Sequence, residues 1–351
     1  MRPSDRIRAV FRRFLRTERS SPPLGRGPAI HVIILDGTLS SLEDGRETNA
    51  GRIYKLLVEA RASGARLNLH YEAGIQWPDW RSTRAVIEGR GINRQIRRAY
   101  GFLASRYRPG DRIFLIGYSR GAYAVRSLAG CIDRVGLLRS HHATVRAIRQ
   151  AYRHYELSPG SVAAERFAAK FCHEAVEIEM IGVFDTVKAL GLRVPLLWQL
   201  TEPRHAFHSH ALGRRVKHGY HALALDERRE AFAPVLWDAP EGFGGRVEQV
   251  WFRGTHGDIG GQLGGYDPAR GLANVALTWM LGRAEAAGLP LPGDWRGRIA
   301  ADGTAPSMGA WRGWGRLFLL RRARRPGHDA SERVHRSADG HRLATGLEVA
   351  E

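Results

Sequence analysis

Residues 113–124, Ile113-Phe114-Leu115-Ile116-Gly117-Tyr118-Ser119-Arg120-Gly121-Ala122-Tyr123-Ala124, change character twice within a dozen positions. The opening four are an apolar run suited to a buried strand, and the stretch from Ala122 through Val125 to Ala129 has the composition of a helix. Between them stands Gly-x-Ser-x-Gly. Glycines lack the Cβ atoms that would collide where a strand turns sharply into a helix, so Ser119 is expected on that turn, strained and with its hydroxyl exposed. Such an elbow predicts a nucleophile at the carboxyl edge of a sheet.

Working outward, Ile30 to Leu35 reads as a first strand that ends at Asp36-Gly37-Thr38. Thr48 to Ala62 follows as a helix capped by Thr48 or Asn49, and Arg66 to Tyr71 alternates like a strand. From Gly89 to Tyr107, residues Ile92, Ile96, Tyr100 and Leu103 share one helical face, and Pro109-Gly110-Asp111 turns the chain into the strand before Ser119. A helix over Ala143 to Tyr155 and a strand over Val176 to Val183 come next. The stretch from Leu190 to Leu212, with its prolines and histidines, reads as an irregular cap or lid. His218 to Glu230 reads as a helix, Val247 to Phe252 as the last strand, and Leu272 to Ala287 as a closing amphipathic helix. Strands alternating with helices predict an α/β-hydrolase-like fold: a mostly parallel sheet with helices on both faces and an irregular cap. Residues 1–28 form a basic amphipathic arm in this reading, 29–295 the catalytic domain, and 296–351 a basic extension carrying Trp and Arg.

The 351-residue chain is 43% hydrophobic, enough for a sizeable core. Cys131 and Cys172 are too few for a disulfide framework and fit a reducing compartment. No apolar run reaches the length of a membrane span and the N-terminus lacks an apolar signal core, so a cytoplasmic chain is predicted. The formal charge is +19. Residues 1–28 hold eight arginines against two acids and residues 311–351 nine against five, so over half the excess lies at the two ends.

An activated serine requires a base, and the base a carboxylate that fixes its tautomer. Hydrolases of this architecture supply them in the order Ser, Asp or Glu, His after successive strands. Asp185 lies just beyond the strand Val176 to Val183, and His256 just beyond Val247 to Phe252, in the glycine-dense loop Gly254-Thr255-His256-Gly257-Asp258. Ser119 is read as nucleophile, His256 as general base and Asp185 as its orienting acid. The backbone N–H of Arg120 is the expected first oxyanion donor, with Gly37 or Thr38 supplying the second. Asp258 is read as a loop-structuring carboxylate with a capping or metal role. His221, Asp226 and Glu227 are read as packing or solvent-facing groups on a helix. No cofactor is assigned.

These motifs resemble a bacterial and fungal α/β-hydrolase family that includes the catalytic domain of type VI secretion lipase effectors of the first class. The matching stretches are Leu35-Asp36-Gly37-Thr38 with Thr48-Asn49, Tyr71-Glu72-Ala73-Gly74, the Ser119 elbow, and Ile181-Gly182-Val183-Phe184-Asp185-Thr186. They continue with His221-Ala222-Leu223-Ala224-Leu225-Asp226-Glu227-Arg228-Arg229 and Trp251-Phe252-Arg253-Gly254-Thr255-His256-Gly257-Asp258. The resemblance covers about residues 30 to 290. It implies a phospholipase or related carboxylic-ester hydrolase using Ser119, Asp185 and His256.

Within residues 5–19 an apolar face of Ile7, Val10, Phe11, Phe14 and Leu15 is set among arginines, and residues 311–325 repeat the theme with Trp311, Leu319, Leu320 and Arg321. Both ends are predicted to touch an anionic membrane surface. Three other readings compete. Asp36-Gly37-Thr38 looks like a phosphohydrolase nucleophile motif, which needs an Asp at position 34 where this chain has Ile34. Nucleic-acid binding has charge in its favour and no recognisable motif. A catalytically silent interaction module on the same fold is the alternative function.

Overall fold

Branched and aromatic residues fill one set of segments and helix formers the other, and the chain alternates accordingly. The computed structural model describes residues 27–74, 90–187, 212–238, 242–311, 318–338 and 347–350. Its elements run β1 (Ile30–Leu35), α1 (Asn49–Ala62), β2 (Leu67–Glu72), α2 (Arg90–Arg106), β3 (Arg112–Tyr118) and α3 (Arg120–Arg134). They continue α4 (Val145–Leu157), α5 (Val162–Phe171), β4 (Ile178–Phe184), β5 (Val216–Ala224) and β6 (Arg246–Phe252). A short α6 (His256–Gly260), α7 (Arg270–Ala286), β7 (Glu332–His335) and β8 (Val349–Ala350) complete the chain.

The strands form one parallel sheet in the order β2-β1-β3-β4-β5-β6-β7-β8. Alternate side chains serve opposite faces. Ile33, Leu35, Ile113, Leu115, Ile181 and Val183 pack beneath α2, α3, α4 and α5. Val32, Ile34, Phe114, Ile116, Met180 and Phe184 pack beneath α1 and α7. With both faces covered, the central strands read as unbroken apolar runs. The α/β fold predicted from alternation is the fold observed. Leaving β1, the chain passes outward to β2 and returns across to β3, so a crevice opens at the carboxyl ends of β1 and β3, where ligands bind in open sheets of this kind.

Several elements differ from the sequence reading. Residues 218–224 are strand β5, not helix, and Glu230–Phe232 is a single 3₁₀ turn. Helix propensity separates ordinary residues by only about 0.7 kcal/mol each, whereas fully burying Tyr or Leu contributes about 1.5–3 kcal/mol, and β5 buries Tyr220, Leu223 and the alanines between two neighbouring strands. His221 is therefore a wholly buried strand residue, and Asp226 and Glu227 leave the strand at its carboxyl end. The sheet does not stop at β6: residues 332–335 and 349–350 lay β7 and β8 along its edge. Helix α7 is buried over most of its circumference rather than on one stripe, because it fills the space between the sheet and α1. The irregular cap predicted over 190–212 lies outside the described residues apart from Leu212, as does the basic arm apart from residues 27 and 28.

Candidate active site

Strand β3 delivers the chain to Ser119, whose backbone stands at φ 57° and ψ −121°, a conformation that L residues rarely adopt. Two glycines make the turn feasible. A Cβ on Gly117 would lie 2.6 Å from Ala122 Cα, and one on Gly121 would lie 2.0 Å from the Leu35 carbonyl oxygen. Helix α3 thus starts hard against the end of β1, and Arg120 at its first position carries an N–H with no partner inside the helix.

Register sets the other groups beside Ser119. Tyr118 pairs with Phe184 and Phe184 with Ala222, so Ser119 and Asp185 leave adjacent strands at the same level. The Ser119 N–H donates to the Phe184 carbonyl (3.0 Å) and the Asp185 N–H to that of Ala222 (2.7 Å). Asp185 is itself strained, at φ 39°. From the loop after β6, one strand beyond β5, His256 reaches back across this rim. Its Nε2 lies 2.9 Å from Ser119 Oγ and its Nδ1 2.6 Å from Asp185 Oδ2. The three residues, read from strand-end positions far apart in sequence, form one chain of contacts in which Ser119 is 7%, His256 4% and Asp185 0% exposed.

The imidazole is held from several sides. Tyr118 stacks on it with centroids 4.9 Å apart, and Phe232 packs at 4.8 Å. Burial pushes the Tyr118 phenol far up, so it stays a neutral donor to the His256 carbonyl (3.3 Å). The His256 N–H donates to Glu227 Oε2 (3.2 Å), and Glu227 is clasped by Arg229 through bonds of 2.6 and 2.8 Å. Burial opposes the Glu227 charge, but Arg229 reverses this and holds the carboxyl below its ordinary range. Reading residues 218–230 as a helix had turned Glu227 away from this site; its signal was a carboxylate just past an apolar run.

Asp185 has a further partner that no motif announced. Arg324 grips it as a fork, Nη1 donating to Oδ1 (2.6 Å) and Nη2 to Oδ2 (3.0 Å), while the Ala224 N–H also donates to Oδ1 (3.0 Å). Burial opposes ionisation of Asp185, yet the charge of Arg324 and the bond from His256 hold its carboxyl well below the usual range. Next to it, the Thr186 N–H donates to His221 Nε2 (3.1 Å). Burial, and then the charge of Arg126, pushes His221 down to about 3, so it remains neutral.

Across the crevice, buried Asp36 accepts from Thr48 Oγ1, the Tyr71 hydroxyl and the Gly37 N–H, each at 2.7 Å. The Gly37 amide, expected as an oxyanion donor, is thereby engaged within its own loop. Thr38 follows it, its carbonyl accepting from Gln262 Nε2 (2.8 Å). Thr48 caps α1, and Asn49 donates to the carbonyls of Ile259 and Ala273 at 2.9 and 3.0 Å, fastening the start of α1 to α6 and α7. Asp258 is a capping residue: it accepts from the Thr255 N–H (2.7 Å) and, across the gap, from the Met308 N–H (2.8 Å). Among the described residues no cluster of His, Cys, Asp and Glu is arranged to hold a metal ion.

The model of the type VI secretion phospholipase effector Tle1-like catalytic domain matches residues 30–283. The chain belongs to this family. The motif resemblance pointed to the same Tle1-like catalytic domains. A relative in Saccharomyces cerevisiae, uncharacterized protein YEL023C, is 35% identical over 233 residues, which is 59% of this chain and 32% of the yeast protein. The chain therefore spans about a third of the length of that curated relative. Among solved structures, an uncharacterized protein from Pseudomonas aeruginosa overlaps 83% of this chain and 50% of its own at 17% identity and a TM-score of 0.42. The Tle1 effector bound to the VgrG spike of the type 6 secretion system overlaps 68% and 52% at 15% identity and a TM-score of 0.29. The Tle1-like match ends at residue 283, so Arg324 and strands β7 and β8 lie beyond it.

Proposed function

We propose that this Tle1-like domain is a serine hydrolase that cleaves a carboxylic ester of a phospholipid or related lipid through an acyl-enzyme. The observation that carries the reading is the unbroken line of contacts from Ser119 Oγ through His256 to Asp185 at 2.9 and 2.6 Å. Ser119 Oγ attacks the ester carbonyl while His256 Nε2 takes its proton, and Asp185 stabilises the imidazolium on the far ring nitrogen. The backbone N–H groups of Arg120 and Thr38 receive the developing oxyanion, Gly37 N–H being committed to Asp36. His256 then returns the proton to the departing alcohol oxygen. A water molecule, deprotonated by the same nitrogen, releases the fatty acid and restores Ser119.

Family membership and the surface beside the site support a lipid as the substrate class. Trp311, Leu319 and Leu320 are 58%, 77% and 58% exposed, and Arg322 and Arg325 stand among them in the open. Apolar side chains set among arginines suit an anionic bilayer, with about 1 kcal/mol contributed by each cation near the surface. Among the described residues no helix is long and apolar enough to cross a membrane, so contact is proposed at the interface, with residues 5–19 as a second basic contact.

A fluorophosphonate probe tests the chemistry. Wild type should be labelled and should release fatty acid from phosphatidylglycerol vesicles, and Ser119→Ala and His256→Ala should do neither. Folded wild type that takes no label, or a Ser119→Ala variant that labels equally, would sink the reading. Replacing Trp311, Leu319 and Leu320 together by Ser should weaken sedimentation with anionic vesicles; unchanged sedimentation would remove this patch from the account.

A further inference from the structure

The segment from Phe318 to Arg325 crosses the rim of the sheet as a strap. Its backbone pairs with the loop after β5: the Glu230 N–H donates to the Leu320 carbonyl (3.0 Å) and the Arg322 N–H to that of Arg228 (2.7 Å). Farther along, buried Glu332 accepts the N–H groups of Gly327, His328 and Asp329 at 3.0, 2.7 and 2.7 Å and the Trp251 indole N–H at 2.7 Å, which ties the chain behind the strap to β6. Phe318 packs on Phe232, itself against His256. Arg324 points inward from the strap, its side chain only 5% exposed. Besides its fork on Asp185 it donates to the Ala224 carbonyl (2.7 Å) and to that of Phe232.

We propose that Arg324 is a positioning residue that fixes the plane of the Asp185 carboxylate and opposes charge on His256, so that the reacting constellation depends on a strap beyond the family's matched segment. This role rests on the hydrolase reading above. The geometry supports it in two ways. The Ala224 N–H holds Oδ1 and the imidazole Oδ2, and a planar fork engaging both oxygens fixes the carboxylate plane more firmly than those two bonds alone. The guanidinium also shares Asp185 with the imidazole, and a fixed positive charge there disfavours an imidazolium.

Other charged or titratable groups lie near His256. Glu227, at its N–H, is paired with Arg229; Tyr118 is neutral; Asp258, two residues on, is bonded to Thr255, Ser307 and Met308. Arg324 is the cation bonded directly to the carboxylate that faces the ring.

The test is the rate of fluorophosphonate labelling at Ser119 as a function of pH, in the full chain, with thermal melting as the check on folding. Arg324→Gln removes both charge and fork. Its plateau rate should fall about tenfold and its acid limb should move upward, because loss of a neighbouring cation favours the protonated base. Arg324→Lys keeps the charge without the fork, so its acid limb should stay in place while the plateau falls severalfold. A purely structural Arg324 would change the melting temperature in both variants and leave the acid limb where it is, which overturns the proposal. If Arg324→Gln does not fold, Arg324→Lys decides, and a wild-type plateau in that variant overturns the fork. A wild type without label at Ser119 removes the hydrolase reading and this role together, whereas a labelled wild type with an unaltered Gln variant removes only the role of Arg324.

Discussion

Two buried His–Asp pairs sit at opposite ends of the same sheet. At the amino end, His31 Nε2 on β1 lies 2.8 Å from Asp111 Oδ2, in the turn into β3. At the carboxyl end, His256 Nδ1 lies 2.6 Å from Asp185 Oδ2. Distance and burial hardly separate them. Their surroundings do. Asp111 also accepts the backbone N–H groups of Ala29 and Arg108 at 2.8 and 3.0 Å, so that pair closes a turn and anchors the start of β1. The carboxyl-end pair leads instead to a hydroxyl on a strained turn, and both Ser119 and Asp185 carry positive φ. Neither His31 nor Asp111 is among the residues with positive φ. A His–Asp pair can thus be a structural brace, and the proposed chemistry sits where strand ends in a parallel sheet converge on a third group.

The widest separation of the two pairs should come from Ser119→Ala, which is expected to lower ester hydrolysis by about 10⁴-fold or more without loss of melting temperature, since it removes the proposed nucleophile and no packing. Asp185→Asn should lower the rate by about 10³–10⁴-fold. It should also destabilise the protein by about 3–5 kcal/mol, because the buried Arg324 loses its counter-charge; denaturant titration reads the second effect. At the other end, Asp111→Ala should leave labelling of Ser119 unchanged while costing about 2–3 kcal/mol of stability for the amides it abandons. A large loss of labelling there would mean that the two ends are coupled.

The smallest effect concerns acid. For both Asp111 and Asp185 burial opposes the charge, and partners prevail: the His31 and backbone bonds for Asp111, the charge of Arg324 and the His256 bond for Asp185. Each folded carboxyl therefore titrates below its unfolded value. Its contribution to stability is complete above the ordinary aspartate range and is lost as pH falls through the folded value, so the melting temperature should decline below about pH 4. Asp111→Asn should flatten part of that decline; an identical slope would show that this pair carries no acid sensitivity.

Much of this was legible in the chain itself. The elbow around Ser119, the strand leading to Asp185 and the glycine-dense loop holding His256 are local patterns, and the alternation of strands with helices points to a mostly parallel sheet. Residues 218–224 were misread because a strand buried on both faces has no alternation, and His-Gly-Tyr-His-Ala-Leu-Ala carries as much helix propensity as strand propensity. Glu227 was lost with that strand. Arg324 had no local signal at all, being one of several arginines in a basic run.

The sequence alone determined which side chains reach a strand end, because strand, turn and helix are written in residues a few positions apart. Tertiary structure decided what surrounds them: that Glu227 meets the His256 amide, that Gly37 is engaged by Asp36, and that an arginine 139 positions past Asp185 grips its carboxylate. Those contacts are set by sheet register and by where β7 fastens the returning chain, and burial then makes each one electrostatically strong.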